Sequence, residues 1–280
     1  MQKSNVISQF ADWLETEGKS VNTVTTYQRE MKKFQDWLYK YPTYLDNISQ
    51  KDVQNYLSFL EQQGKSPITI DKILGSIRTF AKFLKRPEII LDIKVMPIEK
   101  KGELEILTPY EYNRLLQEVK KDGHERNIAI VYLLLHTGIR VSELCSLNKS
   151  NIDIKKKQLI VRNGLTGEER YIPLSEEAKT YLLKYCDSFN SDDALFISKS
   201  NERLTERSIQ YMLKKYNVHP HKLRHTFCQK LIDKGIGLEI VSKLAGHKDI
   251  NVTKRYAKSR MKQLELEEAI QKTFISDTLG

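Results

Sequence analysis

Residues 152–174 read Ile152-Asp153-Ile154-Lys155-Lys156-Lys157-Gln158-Leu159-Ile160-Val161-Arg162-Asn163-Gly164-Leu165-Thr166-Gly167-Glu168-Glu169-Arg170-Tyr171-Ile172-Pro173-Leu174. Three short apolar runs stand in this stretch: Ile152 with Ile154, Leu159-Ile160-Val161, and Tyr171-Ile172-Pro173-Leu174. Between them lie the lysine triplet 155–157 and the turn-forming segment 163–167. β-branched and aromatic runs with such punctuation predict three short strands in an antiparallel meander. Helical spacing rules on either side. The fold class is therefore mainly α: an N-terminal helical bundle followed by an α-rich domain with one small three-stranded antiparallel sheet.

Working outward, the first ninety residues read as four short amphipathic helices. Val24, Tyr27, Met31, Phe34 and Leu38 recur at spacings of three and four, which places them on one helix face. Val6, Phe10, Trp13 and Leu14 do the same before them, and Ser49 starts a third helix bearing Val53, Tyr56, Leu57 and Leu60. Ser66-Pro67, a cap with proline at the first helical position, opens a fourth that Arg86-Pro87 closes. Periodicity is lost beyond Pro87, where Lys94, Lys100 and Lys101 accompany Pro97 and Gly102. Thr108-Pro109-Tyr110-Glu111 restarts the chain with a cap, a proline and a capping-box glutamate, and an apolar helix from Ile128 to Leu135 ends at Gly138. Beyond the strands, helical patterns resume at Ser175 and dominate to the end. The expected organisation is a helical domain over 1–92, a linker over 93–104, a second domain over 105–260 and a C-terminal helix over 261–280.

With 280 residues the chain is long enough for two ordinary cores. Its net charge of +10 favours a polyanionic partner, nucleic acid or an anionic surface. The excess is uneven: residues 1–100 carry a net +3 and residues 101–260 a net +9. Cys145, Cys186 and Cys228 are widely spaced and form no CxxC pair, so they read as reduced, mostly buried thiols and not as a zinc or disulfide framework. No signal-peptide pattern and no apolar run of about 20 residues is present. A cytoplasmic protein with no membrane association is expected.

Chemistry concentrates in two regions. Thr137-Gly138-Ile139-Arg140-Val141-Ser142-Glu143-Leu144 lies some eighty residues before His221-Lys222-Leu223-Arg224-His225, Leu244-Ala245-Gly246-His247 and Arg255-Tyr256. Arg140 with Glu143, and His221 with Arg224, are each three apart and share a helix face, with Val141, Leu144 and Cys145 turned inward. Two guanidiniums from separate helices suit the two non-bridging oxygens of one phosphate, because each planar fork donates hydrogen bonds at fixed angles and keeps its charge. Such a pair stabilises a pentacoordinate phosphorane without a metal ion. Tyr256 is the candidate nucleophile. A free tyrosine has a pKa near 10, so it needs a base or a positive field. His221 is the candidate base, the arginines supply the field, and His247 is placed to donate to the phosphate.

The ordered set Thr-Gly-x-Arg-x-x-Glu-Leu at 137–144, His-x-Leu-Arg-His at 221–225, Leu-x-Gly-His at 244–247 and Tyr256 resembles the tyrosine recombinase (phage integrase) family. The resemblance runs over roughly residues 4–270, with the N-terminal segment similar to the family's core-binding domain. It implies catalytic roles for Arg140, Glu143, His221, Arg224, His247 and Tyr256, with Glu143 orienting its neighbours. It implies no cofactor and no metal. It also implies a C-shaped clamp on a duplex DNA recombination site, a 3′-phosphotyrosine with a free 5′-hydroxyl, and strand exchange in a homo-tetramer on paired sites. The segment before the first helix leaves no room for the arm-binding domain of larger integrases, so a compact Xer-like or transposon-resolvase role is expected. The biological event, integration, excision or dimer resolution, and any accessory protein stay open.

One position departs from the family. Anchoring on Arg170-Tyr171-Ile172-Pro173-Leu174 puts Leu165 where the family carries a lysine that protonates the leaving 5′-oxygen. Either the alignment slips, or Arg162 or Lys157 serves, or the step runs without such an acid. His225 reads as a packing or hydrogen-bonding residue beside the site, and His219 as a loop residue. His221 and His225 at i,i+4 have the spacing of zinc ligands but lack the glutamate of His-Glu-x-x-His and a third ligand. Residues 238–256 resemble a helix-turn-helix, so a non-enzymatic DNA-binding regulator is the competing class; a type IB topoisomerase is a further one. Lys19, Lys72, Arg78 and Lys222 are candidate phosphate contacts. The tail, with Leu264, Leu266, Ala269, Ile270 and Phe274, either docks on a neighbouring protomer or folds back on its own domain.

Overall fold

The structure, a computed structural model, describes residues 6–41, 43–93, 104–162, 167–187 and 194–275. The chain divides into two compact units, Met1–Lys101 and Gly102–Gly280.

The first unit holds α1 (Val6–Thr16), α2 (Val21–Leu38), α3 (Gln50–Gln62) and α4 (Pro67–Phe83). Each of the last three begins on a serine. Ser20, Ser49 and Ser66 accept from the backbone N–H of Thr23, Asp52 and Thr69, and Asp52 returns a bond to the Ser49 N–H. These caps satisfy donors that a helix start leaves without partners. The apolar stripes meet in a core of Phe10, Leu14, Met31, Phe34, Val53, Ile70, Leu74, Ile77 and Phe80. Phe10 meets Phe80 edge-on at 5.0 Å and Phe34 stacks on Tyr56 at 4.4 Å, geometries that aromatic quadrupoles favour. α4 stops at Phe83, short of the expected Arg86-Pro87, because Lys85 takes a left-handed φ of 56° and Pro87 opens a separate 3₁₀ turn to Ile90.

The second unit opens with α5 (Pro109–Lys121), α6 (Glu125–Thr137) and α7 (Val141–Ser146). Residues 127–135 of α6 are all buried. A helix apolar on every side belongs in the middle of a domain, and α8 (Glu176–Asp187) and α10 (Pro220–Asp233) pack against it. Between α7 and α8 the predicted meander is present as β1 (Ile152–Asp153), β2 (Gln158–Arg162) and β3 (Glu169–Pro173), antiparallel and in the order β1-β2-β3. Leu159 stands opposite both Ile152 and Ile172, and Val161 opposite Arg170. Leu159, Val161 and Ile172 are buried on the helix side, as the two-residue period of a strand requires.

The chain continues through α9 (Glu206–Lys214), α10, α11 (Leu238–Ala245) and α12 (Ile250–Ile275). Helical structure is not continuous after Ser175. Residues 194–197, all buried, make two isolated antiparallel bridges, Asn148–Ala194 and Ile197–Arg203. The expected separate C-terminal helix is the second half of α12, which runs unbroken from the turn before Tyr256 to Ile275. His219 is not a loop residue but the cap of α10, its ring accepting from the Lys222 N–H at 3.2 Å. Leu165, residues 94–103 of the expected linker and the side chains of Leu266, Ala269, Ile270 and Phe274 lie outside what is described.

Candidate active site

Gly138 ends α6 in the left-handed region at φ 61°. A β-carbon there would lie 2.2 Å from the Phe227 ring on α10, so both the turn and the close approach require glycine. The same residue accepts a bond from the Arg224 guanidinium through its carbonyl. The chain then enters α7, where the Arg140 backbone N–H donates to Glu143 Oε2 at 2.7 Å and Arg140 Nη1 donates to Oε1 at 3.1 Å. Arg140 Nη2 reaches the Gly246 carbonyl at 2.6 Å, across to the end of α11.

Arg170, on β3, completes this corner. Its Nη1 and Nη2 donate to the two oxygens of Glu143 at 2.9 and 2.8 Å, and its Nε donates to the Leu244 carbonyl at 3.1 Å. Burial works to raise the Glu143 pKa, but Arg170, the Arg140 N–H and both guanidiniums overcome it and hold the carboxyl below its ordinary value. Glu143 is thus an ionised clasp between α7 and the sheet. Gly246 (φ 67°) is needed by the same contact, since a β-carbon would lie 2.8 Å from the Arg170 guanidinium. Arg170 served above only to align the hairpin. Its spatial role was hidden because its partners lie 27 and 74 residues away.

Past Gly246 the chain turns into α12. His247 Nδ1 meets the hydroxyl of Thr253, itself fully buried, at 2.7 Å, which fixes the ring. The His247 ring lies parallel to that of Tyr256, centroids 6.3 Å apart. Among the described side chains of α12, Thr253 and Tyr256 are the buried ones, and the Arg260 guanidinium donates to the Ile232 carbonyl and ties the helix to α10. Tyr256 is only 1% exposed. Its hydroxyl meets His225 Nδ1 at 2.6 Å and the Cys228 thiol, both on α10. Burial and Cys228 raise its pKa well above the tyrosine norm, against a downward pull from Arg224 and Arg255.

Of the six residues singled out in the sequence, five lie in this corner. Arg224 is 6% exposed, and burial and then the neighbouring Arg140 charge lower its pKa. Burial and then Arg224 and Arg140 likewise push His247 down to about 4. His221 stands apart. It is exposed near the start of α10 while Arg224 is buried, and its ring neighbours are His219 and His225 at 6.4 and 6.3 Å. His225 is the histidine at the tyrosine. The i,i+4 spacing from His221 and the position beside Arg224 were the available signals for it. Two guanidiniums and a neutral imidazole around a buried phenol form a ready anion site.

Other expectations fare unevenly. Lys157 and Arg162, the candidate replacement acids, pair at the surface with Glu176 (2.6 Å) and Glu169 (2.7 Å). Lys222 pairs with Glu111 at 2.9 Å and Arg78 with Asp71 at 3.7 Å, while Lys19 and Lys72 are exposed. Cys228 is buried, but Cys145 and Cys186 are only half-buried, so the inward turn expected of Cys145 is partial. Among the described residues no helix is long and apolar enough to cross a membrane, and no three His, Cys, Asp or Glu side chains are grouped to hold a metal ion.

Residues 105–263 match the model of the phage integrase family, and residues 7–88 match that of the phage integrase N-terminal SAM-like domain. Tyrosine recombinase XerD of Oceanobacillus iheyensis is 36% identical over 92% of this chain and 96% of its own length. Tyrosine recombinase XerA of Pyrococcus furiosus is 31% identical over 99% of this chain and 96% of its own. In fold, the XerH site-specific recombinase bound to a palindromic difH substrate superposes with a TM-score of 0.73 over 97% of this chain and 89% of that one, at 17% identity. Motif order, the two-unit helical fold and these likenesses lead to one conclusion: the chain belongs to the phage integrase family of tyrosine recombinases, enzymes of site-specific DNA recombination.

Proposed function

We propose that this recombinase cuts and rejoins duplex DNA at a specific site, with Tyr256 forming the 3′-phosphotyrosyl link and two pairs of protomers acting as a tetramer on paired sites. Arg140 and Arg224 grip the non-bridging oxygens of the scissile phosphate, and His247 donates to it. Glu143 holds Arg140 in place. His221, exposed at the edge of the site, contacts the DNA backbone or the phosphate. The covalent link conserves the energy of the broken bond, so rejoining needs no nucleotide. No metal is assigned a part, because two guanidiniums supply the charge stabilisation that a cation otherwise gives.

The observation that carries this reading is the convergence of Arg140, Arg224, His247 and Tyr256, from four separate helices and turns, on one buried corner. A DNA-binding regulator built on α11 and α12 has no use for that corner. The basic excess in residues 101–260 supports a DNA partner whose binding weakens as salt rises. The test offers nicked duplexes spanning DNA that flanks the gene, in excess chelator, followed by denaturation in detergent. Protein linked to a 3′ end, and absent with Tyr256→Phe, is the expected result. Specific binding without any covalent product, with or without divalent ions, overturns the reading in favour of the regulator.

A further inference from the structure

Tyr256 has one hydroxyl proton and a hydrogen-bonding neighbour, His225 Nδ1 at 2.6 Å, with the Cys228 thiol close enough to raise its pKa. Of the two, the imidazole lone pair is by far the better acceptor, a thiol sulfur being a weak one. The arrangement that follows has the phenol donating to His225 Nδ1, with that ring carrying its proton on Nε2. His225 and Cys228 are three apart on α10, so a single helix face presents both to the tyrosine. His221 lies a full turn earlier and is exposed, and no hydrogen bond joins it to Tyr256 among the described residues.

We propose that His225, and not His221, holds the Tyr256 hydroxyl and takes its proton as the phosphodiester is attacked. This rests on Tyr256 being the nucleophile. In the forward step the Tyr256 oxygen forms a bond to phosphorus, the P–O5′ bond breaks, the phenolic proton passes to His225 Nδ1, and the leaving 5′-oxygen takes a proton from water. In rejoining, the 5′-hydroxyl attacks and gives up its proton to water, and His225 returns its proton to the tyrosine.

The surroundings explain why the transfer waits for DNA. His225 is lowered to about 4 by burial and by His221, Arg255, Arg224 and His219. His247 faces it as well, and the Glu105 carboxylate, paired with His219, feels its charge. With His225 a weak base and Tyr256 a weak acid, the proton stays on the phenol in the free protein. A phosphodiester seated between Arg140 and Arg224 adds negative charge that offsets those cations. It thereby strengthens His225 as a base at the moment its substrate arrives.

The experiment measures single-turnover formation of the 3′ adduct against pH, at saturating protein, on the duplex that yields the adduct. A second duplex carries a 5′-bridging phosphorothiolate, whose thiolate leaves without a proton, so attack alone is read. His225→Asn keeps an acceptor near the Nδ1 position but cannot take the proton. Expected is a loss of roughly 100-fold or more at pH 7 on both duplexes, narrowing as pH rises, while His221→Asn keeps the wild-type pH dependence. If His225→Asn does not fold, His225→Gln carries the same test. A His225 variant within about threefold of wild type, or a pH-dependent loss confined to His221→Asn, overturns the proposal. Adduct formation undiminished in Tyr256→Phe would instead mean that the nucleophile itself is misassigned.

Discussion

Arg224 keeps a permanent charge almost entirely out of water, and its described hydrogen bond goes to a single carbonyl, that of Gly138. Burying an ion costs several kcal/mol unless partners compensate, and here a second guanidinium, Arg140, adds to the cost. Such an arrangement is sustained by the surrounding packing and relieved by an anion. Arg224→Lys keeps the charge but loses the planar fork, so adduct formation should fall by about 100-fold or more, as for loss of one transition-state donor, with little change in duplex affinity. Single-turnover rates within threefold of wild type would argue against a bidentate grip. The Phe227 and Arg224 contacts to Gly138 show the same residue-scale logic, since the glycine is demanded by what approaches it.

At the scale of elements, the corner is held by Glu143 between α7 and β3. Arg170→Ala leaves a largely buried carboxylate with half its partners, and removing one member of such a pair costs about 3–5 kcal/mol. Thermal unfolding should show that loss together with reduced cleavage, because Arg140 loses its brace; an unchanged midpoint would remove the clasp from the account. Stability should also depend on pH. His136, His225 and His247 all sit below the ordinary histidine pKa in the folded chain, chiefly through burial. Between about 6.5, the unfolded value, and about 4, the unfolded chain binds more protons than the folded one. Stability is therefore fully present above about pH 6.5 and is lost as pH falls toward 4. A melting midpoint flat from pH 7 to 5 would contradict this.

The elements also show what the sequence could and could not carry. Helix starts at Ser49, Ser66 and Thr108 and the three strands were legible, because caps, prolines and alternation are local signals. The site motifs were legible through their order along the chain. His225 was placed beside the site, but its partner Tyr256 and the place of Arg170 were not legible, because their contacts cross 31 and 74 residues and depend on how α10, α11 and the sheet pack. The periodicity of the tail looked like a separate helix because nothing local marks that α12 is one rod from Ile250 to Ile275.

For the whole molecule, two units with separate cores and an excess of positive charge suit a protein that engages a long polyanion with both domains. Because α12 carries Tyr256 in its second turn and continues for some five turns beyond, whatever the tail binds is coupled directly to Tyr256. Removing residues 261–280 should leave binding to a single site close to wild type and impair recombination between paired sites, read by gel shift and by plasmid recombination. Normal recombination by the truncated chain would exclude a role for the tail between protomers.

The central claim is that Tyr256 becomes bonded to DNA. The most direct check isolates the covalent complex, trims the DNA with nuclease, digests the protein and identifies the modified peptide by mass spectrometry. The account predicts a nucleotide remnant on the phenolic oxygen of Tyr256, attached through a 3′-phosphate. A remnant on any other residue, or a 5′-linked one, would contradict it.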